Sequence, residues 1–128
     1  MVTLTCAVRR HPQLSHEAFD RHWREVHAAL IHKHAAALRI RRYVQVPALT
    51  DVAAQERIRA SRGAEEAGYD GMAILWYDSL DALWAVRESA EGLAALREVI
   101  EDEKRFIDFA RSRFWFGEER EIIPLAAE

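Results

Sequence analysis

Residues Met72 to Tyr77, bracketed by an Asp70-Gly71 turn signal and by Asp78-Ser79, would be apolar on both faces of a strand. Successive side chains alternate across a strand, so one that is half exposed reads apolar and polar in turn. A strand with no polar face must be covered on both sides. This segment therefore belongs inside a sheet, with material packed above and below it.

The remaining elements fall in place around that strand. Residues 3 to 10 alternate, with Leu4, Cys6 and Val8 on one side and Thr3, Thr5 and Ala7 on the other, until Pro12 ends the run. Ser15 is a suitable N-cap for a helix over 16–38. Residues 41–47 alternate again, Tyr43 and Gln45 facing one way and Val44 and Val46 the other, and Pro47 closes the strand. Ser79 can cap a helix over 80–88. A second helical stretch over 91–110 carries Leu93, Leu96, Ile100, Phe106 and Phe109, and the tail RSRFWFGEEREII reads as a last strand. Strand, helix, strand, strand, helix, strand is the split βαβ arrangement: an α+β, ferredoxin-like βαββαβ sheet with helices on one face. At 128 residues the whole chain, 1–128, makes one domain. Residues 49–68 are polar and Ala-rich, with arginines at 57, 59 and 62, and read as a variable loop, a short helix or a lid.

Helices on one face leave the other open. Met72 to Tyr77 and the consecutive Phe114, Trp115 and Phe116 would then expose a large apolar patch. A second copy of the same sheet covers it most simply, which predicts a homodimer whose two sheets enclose pockets.

A formal net charge of −3 opposes nonspecific nucleic-acid binding. An RNA-reading sheet would need stacking aromatics on its two central strands, and the first strand has none. The single cysteine, Cys6, makes neither an internal disulfide nor a paired-thiolate metal site, and fits a reducing compartment. The N-terminus has no basic residues ahead of its short apolar run, and no stretch nears the roughly 18 apolar residues that span a bilayer. The expectation is a cytoplasmic protein with its own N-terminus and no membrane association. Without a Gly-x-Ser-x-Gly elbow, a phosphate loop or a dinucleotide fingerprint, no cofactor is expected, and pocket chemistry falls to side chains.

FDRHWREVHAALIHKH, residues 19–34, holds four of the six histidines. At about 100° per residue, Phe19, Trp23, Val26, Leu30 and Ala37 cluster within roughly 60° as a buried stripe. His27 borders that stripe, while His16, His22, His32 and His34 read as solvated. Zinc pairs on a helix use positions i and i+4. The spacings here are larger, so no metal site is expected. His27 either exchanges a proton with a bound molecule, Trp23 forming a flat wall beside it, or simply bonds a backbone carbonyl at the core's edge. Tyr43 and Gln45, with Thr3 and Thr5, would supply hydroxyls and an amide if their strand faces line a pocket; Tyr43 otherwise covers the sheet with its hydroxyl in water. Asp102 shares a stripe with Phe106 and Phe109, and a carboxylate there needs a partner such as an arginine or His27. Asp108 stands beside it as a second candidate. Glu101 and Glu103 read as an ordinary solvated face.

LSHEAFDRHWREVHAAL with RRYVQ, then YDGMAILWYDSLDAL, then DEKRFIDFARSRFWFGEE resemble, in that order and spacing, the EthD family of small dimeric α+β-barrel proteins. Carried onto this chain, the resemblance singles out Trp23, His27, Tyr43, Asp70 and Gly71. Further along it singles out Trp76, Asp102, Phe106 and Asp108. It implies a ferredoxin-like homodimer with an apolar pocket between helices and sheet, and a cofactor-independent enzyme acting on a small aromatic or polyketide-like metabolite by dehydration, decarboxylation or oxygenation. His27 would be the acid or base, Asp102 or Asp108 would orient it, and Tyr43 would bond a developing enolate or phenolate. Trp23, Gln45, Trp76 and Phe106 would hold the substrate. The competing expectation is a binding or accessory module that sequesters a hydrophobic metabolite without changing it.

Overall fold

The computed structural model describes residues 1–66 and 68–127. Strands β1 (Val2–Val8), β2 (Arg42–Pro47), β3 (Gly71–Tyr77) and β4 (Arg113–Glu118) form one antiparallel sheet in the order β2-β3-β1-β4. This is the ferredoxin-like α+β order, with the doubly apolar strand β3 in the interior of the sheet. Its alternate residues Ala73, Leu75 and Tyr77 join Leu4, Cys6 and Val8 of β1 beneath the helices. Strand β4 stops at Glu118, short of the longer strand read from the sequence. Glu118 pairs with Val2, where β1 begins, so β1 offers no further residue for the strand to pair with.

Helices α1 (His16–Arg21) and α2 (Ala28–His34) are joined without a break by a π-helical segment, His22–His27. Ser15 caps the start, its hydroxyl accepting from the Ala18 N–H at 3.1 Å. Within the π segment the Ala28 N–H donates to the Trp23 carbonyl, five residues back. The wider turn changes which residues face the sheet. Phe19, Trp23, His27 and Ile31, each four residues from the last, are buried, whereas Val26 is 49% exposed. A uniform spacing of about 3.6 would have buried Val26 and Leu30 instead. Val26→Glu is therefore expected to shift stability by no more than about 0.5 kcal/mol in urea denaturation. Ile31→Ala should cost about 2–4 kcal/mol.

Residues 49–68 contain a helix, α3 (Val52–Ala60), capped by the Asp51 carboxylate and with none of its residues buried. It rims an open cleft of about 490 Å³ together with Arg10, His16 and Asp70. Helix α4 (Leu80–Ala85) runs into a 3-10 turn, Val86–Glu88, and α5 (Ala90–Phe106) follows directly, capped by Ser89. Among the described residues no helix is long and apolar enough to cross a membrane.

Candidate functional site

Helix α5 buries Ala95, Val99, Asp102 and Phe106 at alternating spacings of four and three. Asp102 thus enters the core as a carboxylate, only 3% exposed, and both of its oxygens accept hydrogen bonds. Its Oδ2 accepts from His27 Nδ1 at 2.8 Å, and its Oδ1 accepts from His22 Nε2 at 2.9 Å and Arg105 Nη1 at 3.3 Å. The π segment makes the double imidazole contact possible. Five residues along an α-helix lie about 140° apart, but only about 50° when each turn takes nearly four and a half residues. His22, which the helical wheel left in solvent, is thereby brought to Asp102 beside His27. Burial alone would raise the Asp102 carboxyl. The hydrogen bonds from His27 and His22 outweigh it and hold the group below the ordinary carboxylate range.

An ionised Asp102 only accepts, so His27 carries its proton on Nδ1 and leaves Nε2 as the free nitrogen. His27 is 2% exposed and lines a cavity of about 200 Å³ between the helices and the sheet. Trp23, Ile31, Leu75 and Leu96 supply much of its apolar wall. The cavity lies within a single chain, between helices and sheet as the family resemblance implies, and not between two sheets.

The carboxylate nearest the free nitrogen of His27 is Glu103, whose Oε2 is 3.6 Å from Nε2 and which also lines the cavity. The sequence reading placed Glu103 in water as part of a charged run. A periodicity was present that could have found it, since Leu96, Val99, Ile100 and Ile107 lie three, four and seven positions from it on the same flank and also line the cavity.

Tyr43 lines the cavity too, and its hydroxyl accepts from Gln45 Nε2 at 3.1 Å, leaving its own proton free to donate. Burial pushes the Tyr43 hydroxyl up to about 12, with Glu103 and Cys6 adding to the rise against the Gln45 and Trp23 bonds. Gln45 also donates to the Trp23 carbonyl at 3.0 Å, which pins the π segment to β2. It buttresses Tyr43 and does not itself line the cavity. Tyr43 and Gln45 share the helix-facing side of the sheet with Cys6 and Leu4, so Thr3 and Thr5 lie on the opposite face and outside the site.

Phe106 is fully buried, its ring centroid 5.0 Å from that of His27 and 4.8 Å from that of His22, so it backs the imidazoles from the core side. Trp76 lies on the other face of the sheet, where its Nε1 donates to Glu119 at 2.7 Å and Arg42 stacks on its ring. Asp108 is not brought to the site. Helix α5 ends at Phe106 and Ile107 is extended, so Asp108 leaves the helical stripe; its backbone pairs with Arg9 and Ser112.

Asp70 anchors a second cluster at the mouth of the α3 cleft. It accepts from the Arg10 N–H at 2.8 Å, Arg10 Nη1 at 2.7 Å and His16 Nδ1 at 2.9 Å, tying β1, α1 and the start of β3 together. Burial opposes ionisation there, and these donors override it to hold the carboxyl low. At the next residue, a Cβ on Gly71 would lie 2.8 Å from the Trp23 ring and 2.9 Å from the Val46 carbonyl. The turn glycine is what lets the cavity wall settle against β2 and β3.

A sequence profile described as the EthD domain matches residues 11–110. The chain belongs to the EthD family. No curated protein matches the sequence. Among solved structures, the EthD chain resembles an ethyl tert-butyl ether d (EthD) family protein from Bacillus halodurans C-125, at 22% identity and a TM-score of 0.61, covering 94% of this chain and 99% of that one. It also resembles HapK from Hahella chejuensis, at 14% identity and a TM-score of 0.63, covering 99% and 100%. At these identities the likeness establishes a shared fold.

Proposed function

We propose that the cavity beside His27 binds a small, largely apolar, ring-bearing metabolite and that His27 exchanges a proton with it through Nε2. One observation carries this reading: a buried imidazole that lines the cavity has its Nδ1 committed to Asp102, so Nε2, 3.6 Å from the Glu103 carboxylate, is the nitrogen left to meet a ligand. A carboxylate in that position fixes the tautomer and raises the basicity of the ring. Nε2 takes a proton from an acidic O–H or C–H of the ligand, and the electron pair remains on the ligand as a phenolate or enolate. The Tyr43 hydroxyl, protonated across the physiological range, donates to that oxygen. Loss of hydroxide, which takes up the proton as water, completes a dehydration; loss of CO2 with return of the proton to carbon completes a decarboxylation; and addition of the anion to dissolved O2, with the proton passed to the resulting peroxide, begins an oxygenation. Cofactor-free dehydration, decarboxylation and oxygenation each form or pass through such an anion. Trp23 serves as the cavity wall, while Asp102, Phe106 and Gln45 position the reacting side chains.

The same reading has two copies joined through the open sheet face, where Val46 is 52% and Trp115 48% exposed. Sedimentation at micromolar concentration should return twice the mass of one chain.

Incubation with a panel of small phenols and keto acids, followed by mass spectrometry, should reveal a product. His27→Ala should lower turnover by about 10²- to 10⁴-fold. Full turnover by that variant would remove the mechanism. Tight retention of a ligand that is always recovered unchanged would instead favour a binding protein, a role to which the nearly complete burial of His27 is also suited.

A further inference from the structure

The polar groups of the cavity are divided between two kinds of site. Glu103 stands beside His27 and presents a negative charge there. Arg87, on the 3-10 turn Val86–Glu88, also lines the cavity. Among the described residues no carboxylate lies within ion-pair distance of Arg87; its guanidinium rests on the Trp84 ring, 5.2 Å from the centroid. The field of Arg87 reaches the Tyr77 hydroxyl, where it opposes the upward push of burial, Cys6 and Glu103. Tyr77 lines the cavity as well, and its hydroxyl makes no hydrogen bond to another described residue. Arg87, solvent-exposed and without an ion-pair partner among the described residues, and the Tyr77 hydroxyl therefore border the same apolar space.

The volume limits what can enter. At about 200 Å³ the space is somewhat larger than the roughly 150 Å³ cavity that accommodates benzene. That volume matches a single substituted ring.

We propose that the ligand is a single-ring organic acid, with its ring against Leu75 and Trp23, its carboxylate held by Arg87 and the Tyr77 hydroxyl, and its reacting end turned to His27 and Glu103. Charge fixes the orientation. A carboxylate placed beside Glu103 would be repelled, whereas at Arg87 it gains a charge-assisted bond. The inference rests on the cavity being a ligand site, and it is independent of whether His27 performs chemistry.

Benzoate and its neutral isostere benzamide separate these possibilities in calorimetric titrations of the full chain, with methyl NMR shifts at Leu75 and Val99 locating the bound ring. The wild type should bind benzoate about tenfold more tightly than benzamide. Arg87→Gln should bring the two within about threefold by weakening benzoate alone, and Arg87→Lys should restore part of the preference. Benzamide bound as tightly as benzoate, or a preference unaltered in Arg87→Gln, overturns the assignment while leaving the His27 reading standing. Failure of both probes to shift the cavity methyls overturns it together with the cavity's role as a ligand site.

Discussion

Replacing Asp102 with Ala is expected to lower the unfolding free energy by about 3–5 kcal/mol, the usual consequence of removing one partner from a buried charged pair. For a chain of this length that corresponds to a fall in Tm of about 10–20 °C by calorimetry. The side chain itself is small; the loss comes from what it leaves behind. His27 is almost fully buried, and without Asp102 its Nδ1–H has no acceptor, while His22 and Arg105 lose theirs at the same time. Asp102→Asn should fall between the two. An amide offers one acceptor oxygen and an NH2 group, so one of the two imidazoles must switch tautomer to meet it, a change readable in the ¹⁵N spectrum of the rings. The pH dependence has a definite sign. Asp102 has a depressed folded pKa, so its contribution is full above the unfolded carboxylate value and disappears as pH falls through the folded one.

At the other end of the scale, stability is expected to fall steadily as pH rises from about 9 to about 12. Burial lifts the Cys6 thiol from 9.0 to about 12, helped by the charge of Glu103, and lifts the Tyr43 hydroxyl from 10.0 to about 12. Tyr77 is raised in the same way. In the unfolded chain these groups release their protons at ordinary values, whereas the folded chain holds them longer. The unfolded state thus binds fewer protons across that interval, and the slope of stability against pH is negative. All three groups line the cavity, so the effect tests the polarity of that space as well as the fold. Chemical denaturation at successive pH values should show a loss of several kcal/mol before the arginines titrate. Tyr43→Phe combined with Tyr77→Phe should leave the slope unchanged below about pH 10 and reduce it above that to the part Cys6 carries. A level profile from about pH 9 to about pH 11 would mean that these groups see water in the folded protein.

Much of this arrangement was legible in the residues. The doubly apolar run Met72 to Tyr77 identified an interior strand, and the alternations around Cys6 and Tyr43 identified its two neighbours. Serines at 15 and 79 marked helix starts that the backbone confirms. His27, Trp23 and Tyr43 do border one cavity, and Asp102 does bond His27. What escaped had particular physical causes. A wheel drawn at a uniform angle cannot anticipate a π turn, so Val26 was turned inward and His22 outward on paper. The buried residues at 19, 23, 27 and 31 carried the hint, because a strict spacing of four is longer than an α-helix sustains. Glu103 was hidden in a charged run whose apolar flank was not followed. Trp76 has the composition of a pocket residue, but strand parity turns it to the far face of the sheet. Asp108 was lost because the helix stops two residues before it.

The most direct measurement is a crystal structure of the protein soaked with phenol, the smallest ring that carries an acidic hydroxyl. Phenol should occupy the space walled by Trp23 and Leu75, with its oxygen within hydrogen-bond reach of His27 Nε2 or the Tyr43 hydroxyl and with the His27–Asp102 bond intact. An imidazole packed against filled interior, with phenol excluded or bound only elsewhere, would contradict it.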